Sequence, residues 1–145
     1  MAIMHFSGPA KTQAFTKKAS TAIASGSAMG FEGGYVTQAE AASVIIAGIS
    51  LNTVTSSSND YASASLIPLI VPSDEDVFVA DVGTGTATIA NVGKLYDLST
   101  NSDGTASSIT LSGTSYKTVT VVGVISTTKV LVKINAHYAV ANKAN

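Results

Sequence analysis

Histidine is the side chain most often used for acid–base catalysis near neutral pH, and the chain has two, His5 and His137. They stand near opposite ends of the sequence. Neither has an Asp, Glu or Ser at a spacing that would build a catalytic triad or a metal site. The chain has no Cys, which excludes disulfides and thiolate ligands. We therefore expect both histidines to be ordinary surface or interface residues.

Two acidic segments carry oxygen ligands of the kind that Ca²⁺ prefers. Residues 74–76 are three adjacent acids, a pattern more typical of a solvated turn than of a cation site. Residues 99–104 place Asn101 and Asp103 at calcium-loop spacing, but the first acid is missing and Thr110 stands where the closing Glu belongs. No dinucleotide fingerprint, Walker motif or Gly-x-Ser-x-Gly motif occurs. The sequence therefore predicts a protein that is not an enzyme and that uses no metal or cofactor.

The composition predicts a nearly neutral surface. Charged residues make up 12% of the chain, against about 25% in an ordinary soluble domain. Their place is taken by small polar residues, since 36 of the 145 residues are Ser or Thr. Free monomers usually carry interspersed charge for solubility. A neutral surface is instead typical of a protein that lies against other subunits.

Charge and hydropathy also exclude two classes of partner. The eight cationic residues are all Lys and the net charge is −1. The chain therefore lacks the bidentate Arg guanidinium groups that recognise phosphate and guanine, and nucleic acid is not an expected partner. No apolar run approaches the roughly 18–20 residues that span a bilayer, so no membrane is expected. No secretory signal is visible. We expect the protein to be made in a cytoplasm.

Short apolar segments separated by Gly, Pro, Ser and Asn turns recur about every 8–12 residues. This spacing predicts an all-β fold, a small β-barrel or sandwich with at most one short helix. No internal repeat is apparent. We expect three parts: an extended N-terminal arm over residues 1–21, the barrel or sandwich over residues 22–138, and a flexible C-terminal tail over residues 139–145.

Four segments within the domain carry specific expectations. Residues 33–34, Gly-Gly, predict a hairpin turn. Residues 38–43 (QAEAAS) are the best local helix former, and residues 44–51 (VIIAGISL) predict a buried strand. Residues 66–71 (LIPLIV) predict a strand that its prolines confine to a sheet edge.

The closing hairpin is the most regular pattern in the chain. Residues 117–125 and 129–135 are predicted strands joined by a Ser-Thr-Thr turn, and residues 129–135 alternate cleanly between two faces. One face of this hairpin is expected to be core, formed by Val121, Val130, Val132 and Ile134.

The N-terminal 21 residues contain three Lys and no acid, and Gly8-Pro9 interrupts any regular element. A frayed terminus is one interpretation. The other is an arm that binds a neighbouring subunit, because a disordered tail rarely needs two Phe. In that interpretation Phe6 and Phe15 fill apolar pockets on the neighbour, and the lysines lie at the rim of the contact. The candidate partner-binding residues are Phe6, Lys11, Phe15, Lys17 and Lys18.

Residues 66–135 resemble small structural proteins of tailed-bacteriophage heads. The resemblance is carried by an apolar-Pro strand (residues 68–72), a valine strand and Val-Gly-x-Gly turn (77–85), a Val-Gly-x-x-Tyr-Asp-Leu segment (92–98) and a closing hairpin with Lys-Val-Leu-Val (119–135). These motifs are structural rather than catalytic, and they cover about half of the chain.

Families of this kind are similar to capsid decoration (cement) proteins, which are compact β-barrels with extended arms. The resemblance implies a virion protein on the outer capsid surface that binds the major capsid protein, often as a homotrimer, and locks adjacent capsomers. Two alternatives stay open. One is another virion component, such as a head-fibre base, tail-tube or connector subunit. The other is a cell-surface adhesion module, which the missing signal sequence disfavours.

Overall fold

A computed structural model describes residues 1–43, 45–101 and 104–135. His137 and the predicted tail at residues 139–145 lie outside these residues. The described part contains eleven β-strands, one 3₁₀ turn at Ile89–Asn91 and no α-helix, which confirms the all-β prediction. The strands are β1 (Ile3–Ser7), β2 (Thr12–Thr16), β3 (Ala28–Glu32), β4 (Tyr35–Gln38), β5 (Gly48–Ser50), β6 (Leu66–Ile70), β7 (Val77–Thr84), β8 (Leu95–Ser99), β9 (Ser108–Thr110), β10 (Val119–Ser126) and β11 (Lys129–Ile134).

The second half of the chain closes into a five-stranded barrel, here called the second barrel. β7, β11, β10, β8 and β9 pair in that order through antiparallel ladders. β9 then returns to β7 and pairs with it in parallel, with Val82 opposite Ile109. A cycle of pairings has no free end, so this sheet is a closed barrel.

The first half closes in the same way into the first barrel. β2, β6, β5, β3 and β4 pair in that order, again antiparallel. The cycle closes just beyond β2, where Lys17 forms a parallel bridge with Val36 of β4. The N–H of Lys18 donates to the Val36 carbonyl at 2.9 Å.

The two barrels have one topology. In each, the first strand pairs with the fifth, the fifth with the fourth, the fourth with the second and the second with the third, and the third closes in parallel on the first. Each closure also repeats one hydrogen bond to the residue just before the last strand, from Lys17 N–H to Ser65 O and from Val82 N–H to Thr128 O, both 2.9 Å. The sequence shows no apparent internal repeat, but the fold repeats one strand topology.

The predicted N-terminal arm is also wrong, because residues 3–16 form strands of both sheets. β1 pairs antiparallel with β7 of the second barrel, and β2 is a strand of the first barrel. Ile3 is buried in the core. The alternation of buried and exposed side chains in this segment is short and is interrupted by Gly8-Pro9. The sequence pattern therefore did not predict the two strands, which belong to different sheets.

Three local predictions also need correction. Residues 38–43 form no helix, because the Ala39 N–H donates to Ala28 O and the Glu40 N–H to the Ser43 hydroxyl. The strand predicted over residues 44–51 is reduced to Gly48–Ser50, and Val44 lies outside the described residues.

The third correction concerns β6, which is not an edge strand, since it lies between β2 and β5. Pro68 is tolerated there because its carbonyl accepts from the N–H of Leu51, just beyond the end of β5. The amide hydrogen that proline lacks is therefore missing only where the ladder to β5 has already ended.

Both predicted hairpins are confirmed. Gly33 and Gly34 join β3 to β4 with positive φ angles of 59° and 88°, the conformation that a two-residue turn requires. β10 and β11 form the closing hairpin with Val121 opposite Val132. The predicted apolar face of this hairpin is buried.

Two apolar clusters fill the molecule. The smaller one lies within the first barrel and includes Met29, Ile67 and Leu69. The larger one fills the second barrel around Phe78, and it extends across the junction to Ile49 of the first barrel. β5 and the adjoining residues of β3 and β6 are therefore buried on both faces, and the larger cluster is a core that both barrels share.

The shared core makes the closing hairpin sensitive to charge. Val132 is fully buried, so Val132→Asp is expected to prevent folding, because an unpaired buried carboxylate costs several kcal/mol out of a total stability of roughly 5–15 kcal/mol. Val122→Asp, on the exposed face of the same hairpin, is the matched control and should melt within a few degrees of wild type. Circular dichroism melting measures both. A folded Val132→Asp protein would contradict the assignment.

Candidate functional site

The five candidate partner-binding residues do not form one surface. Phe6 is 58% exposed on β1, whereas Phe15 on β2 is partly buried and packs against the core of the first barrel. The Phe15 ring meets Phe31 edge-on with centroids 5.7 Å apart. Phe15 therefore belongs to the interior of its own barrel, and of the two predicted aromatic anchors only Phe6 presents its side chain to the outside.

Lys17 was expected at the rim of a contact, and this placement is wrong. Its side chain is completely buried. The ammonium donates to the carbonyl oxygens of Tyr61 and Ser63 at 3.0 and 2.6 Å. Because these carbonyls lie in the long loop between β5 and β6, Lys17 fixes that Ser/Thr-rich loop against the end of the first barrel.

The other two lysines are exposed and keep their place among the candidates. Lys18 pairs with Glu32 at 2.6 Å, across the closure of the first barrel. Lys11 lines a shallow cleft with Asp74 and Glu75. Both lysines are exposed and within reach of a partner, but Lys18 already pairs with a carboxylate of its own chain.

Asp76 is the most highly connected side chain in this region, and it was missed as a structural residue. It is 1% exposed. Its carboxylate accepts from the N–H of Ala10 at 3.0 Å, from the N–H and hydroxyl of Ser73 at 2.9 and 2.8 Å, and from His5 Nε2 at 2.9 Å. The available signal was the Ser-x-x-Asp spacing after a proline, which is typical of a side chain that closes its own turn. The acidic segment is therefore a turn organised by hydrogen bonds.

The environment of Asp76 controls its ionisation. Burial alone would raise the pKa of this carboxyl, but the hydrogen bonds from Ala10, Ser73 and His5 together lower it below the ordinary value of 3.8. Gly8 passes so close that a Cβ there would lie 2.6 Å from Asp76 Oδ1, and its φ is +111°. Only glycine fits at this position.

A second carboxylate holds the other end of β1. Asp81 accepts from the Ala2 N–H at 2.9 Å and pairs with Lys129 of β11. Burial would raise its pKa, but the Lys129 and Ala2 hydrogen bonds lower it. His5 also meets the Phe78 ring edge-on, with centroids 5.6 Å apart. β1 is therefore fastened to β7 at both ends and is part of the sheet rather than an extended arm.

The loops of the second barrel use polar side chains in the same way. Asp97, buried in β8, accepts from the N–H groups of Ser115, Tyr116 and Lys117 at 3.1, 2.8 and 2.7 Å. Asn101 of the calcium-like segment hydrogen-bonds to Ser107 and Ser108, and Asp103 lies outside the described residues. An acid in the middle of an apolar strand is a sequence signal for such a buried acceptor.

The exposed face of β1 is apolar. Met4 and Phe6 are 62% and 58% exposed on this strand, with Phe6 at the β-bulge between His5 and Ser7. Leu51, 45% exposed, lines a shallow cleft together with Met4. We call Met4, Phe6 and Leu51 the β1 patch.

Within the described ranges, no three His, Asp or Glu side chains are grouped closely enough to hold a metal ion. In the same ranges, no helix has the length and apolar character needed to cross a bilayer. No known protein family, curated protein or solved structure was found to match this chain. The geometry of the patch and of the buried polar groups is therefore the basis for a functional proposal.

The Asp76 cluster predicts an acid-dependent loss of stability. A carboxyl whose folded pKa is lowered stabilises the fold above its unfolded pKa, and this contribution disappears as the pH falls from about 3.8 through the lower folded value. Asp76→Asn should lower the unfolding free energy at neutral pH by about 1–3 kcal/mol, and the difference from wild type should shrink with acidification. Urea unfolding across pH measures this. Glu75→Gln, exposed in the same turn, is the control, and an Asp76→Asn protein with wild-type stability would contradict the assignment.

Lys17 and Lys18 are expected to contribute differently to the stability of the fold. Lys17→Met leaves two loop carbonyls without their donor and should destabilise the protein by about 1–3 kcal/mol. Lys18→Met removes only an exposed ion pair and should cost less than about 1 kcal/mol. Urea unfolding of both variants at neutral pH tests this ranking. Equal losses would show that the buried ammonium has no structural role.

Proposed function

We propose that this chain is a structural protein of a phage particle, a decoration protein that binds the outer surface of the capsid shell and reinforces contacts between capsomers of the major capsid protein. The observation that carries the proposal is the β1 patch, large exposed apolar side chains on a strand that the buried Asp76 and the partly buried Asp81 fasten in place. Contiguous exposed apolar groups mark contact sites.

The chemistry of the described residues supports a binding role rather than catalysis. Three of the most buried charged groups, Lys17, Asp76 and Asp97, are occupied by backbone partners. Groups held in this way position loops and are not available to a substrate. The resemblance of residues 66–135 to phage head proteins, with the neutral composition, favours a partner that is itself a protein shell.

The proposed mechanism is reinforcement by added contact area. A specific interface buries roughly 1,200–2,000 Å², with a few apolar or aromatic anchors contributing most of the binding energy. Met4 and Phe6 would be such anchors, and exposed Lys11 and Lys18 would lie at the rim, where charge mainly affects the association rate. Copies that bridge neighbouring capsomers would oppose expansion of the shell under internal pressure.

The proposal is tested by adding purified protein to heads that lack it, assembled from coat protein of the same source. Saturation at hundreds of copies per particle, located on the outer face by cryo-electron microscopy, is the expected result. A few copies at one vertex or along a tail would instead identify another virion component. Absence of binding to heads and tails would overturn the proposal.

The β1 patch is tested with Met4→Ala/Phe6→Ala. Loss of two apolar anchors should weaken binding to heads at least tenfold, a change of about 1.4 kcal/mol or more. Ile89→Ala is the matched control, because Ile89 is 81% exposed in the 3₁₀ turn, away from β1 in sequence. Co-sedimentation with heads measures both variants. Equal binding by both would show that the patch is not the contact.

A further inference from the structure

A small polar pocket lies on the first barrel, between the β3–β4 hairpin and residues 39–43 that follow β4. Its volume is about 260 Å³, just below the roughly 300–1,000 Å³ of most small-molecule sites. Five of the side chains that line it end in a hydroxyl, amide or carboxylate group, and these are Glu32, Thr37, Gln38, Glu40 and Ser43. The pocket is therefore large enough for a small ligand, and hydrogen-bonding groups form most of its wall.

Gly30 lines the same pocket and keeps it open. The backbone does not require glycine there, because Gly30 has no positive φ angle and lies opposite Thr37 in a ladder without a bulge. A Cβ at this position would lie 3.3 Å from Ser43 Oγ and 3.7 Å from the Ala39 Cα. Glycine inside a strand costs stability, and where no turn or bulge requires it, it often marks the close approach of a ligand.

The polar groups around the pocket are positioned by contacts within the chain. The N–H of Glu40 donates to Ser43 Oγ at 2.9 Å, and the N–H of Ser43 donates to the Glu40 carbonyl at 3.0 Å. The Glu32 carboxylate is paired with Lys18 at 2.6 Å. A ligand would therefore meet groups that are already arranged, which lowers the entropic cost of binding.

One lining residue has an unsatisfied donor. The amide nitrogen of Gln38 is buried and has no hydrogen-bond partner among the described residues. Its Oε1 accepts from the Ala106 N–H at 3.4 Å, which is longer than the usual range of about 2.7–3.2 Å. The amide is therefore weakly held and can turn toward a ligand in the pocket. A buried donor of this kind normally has a partner.

These groups favour a neutral ligand that both donates and accepts hydrogen bonds. The carboxylates of Glu32 and Glu40 only accept, and they would repel an anion. The Gln38 amide nitrogen only donates, and an ammonium ion has no acceptor to offer it. Within the described ranges, no three His, Asp or Glu side chains are close enough to hold a metal ion. Each hydroxyl of a sugar can both donate and accept, so a sugar ring matches both kinds of group.

We propose that this pocket binds a neutral sugar ring. Its hydroxyls would bond to the carboxylate, amide and hydroxyl groups of the wall. Phe31, 39% exposed, also lines the pocket and would supply apolar surface for the C–H groups of the ring. This inference does not rest on the capsid proposal, because it uses none of the residues of the β1 patch.

The binding is measured by titrating the full ¹⁵N-labelled chain with glucose, galactose, mannose and N-acetylglucosamine. At least one of these sugars should give saturable amide shifts at Gly30, Thr37 and Ser43, with a Kd in the millimolar range expected for a few hydrogen bonds in an open pocket. Amides of the β10–β11 hairpin should not shift.

Gly30→Val separates binding from folding. Valine is favoured in strands and glycine is not, so the variant should melt at or above the wild-type temperature, whereas its side chain fills the pocket and should abolish the shifts. Gly30→Ala makes the same test with a smaller side chain and should weaken binding. Thr37→Val removes one hydroxyl from the wall and should weaken binding about three- to tenfold. Thr12→Val, outside the pocket, is the matched control and should bind like wild type.

Several results would overturn the proposal. One is the absence of saturable shifts at the pocket amides with all four sugars. Another is wild-type affinity in Thr37→Val and in the folded Gly30 variants. Shifts caused by putrescine and by no sugar would assign the pocket to a cation instead. Gly30→Val should bind phage heads like wild type, so a chain that binds sugar and not heads would refute the capsid proposal alone.

Discussion

The buried carboxylate of Asp76 fixes the path of the chain between the two barrels, because both connections meet at it. The connection from β1 to β2 supplies the Ala10 N–H, and the connection from β6 to β7 supplies Ser73. A carboxylate removed from water is tolerated only when its oxygens are hydrogen-bonded. Satisfying Asp76 therefore brings residues 8–11 beside residues 73–76 and places β1 where it can pair with β7.

The position of β1 decides which surfaces remain available for binding. With Asp81 holding Ala2 and Asp76 holding His5, β1 adds to the second barrel and turns Met4 and Phe6 outward. The same chain path sends β2 into the other barrel, where it pairs with β6 and its end closes on β4. The β1 patch and the placement of β2 thus follow from one arrangement of hydrogen bonds.

The sequence predicted the fold where a local pattern decided the structure, as at the Gly33-Gly34 turn and in the β10–β11 hairpin. It failed where long-range partners decided. Residues 38–43 have helical propensity, but Ala28 O takes one of their amide hydrogens. The candidate site was only partly predictable, because the exposure of Phe6 and the burial of Lys17 depend on which sheet each residue joins. The repeated topology leaves no shared motif, since strand pairing requires alternation rather than particular side chains.

Some of the few charged residues of this chain lie inside the molecule and not on its surface. Lys17 and Asp97 are buried and donate to or accept from the backbone of loops, so they contribute nothing to the exterior. The surface is consequently even less charged than the composition implies. A neutral exposed surface opposes the close approach of another protein only weakly, because no ions must be desolvated and no like charges repel each other. The same buried groups that order the loops therefore leave fewer charged side chains on the exterior.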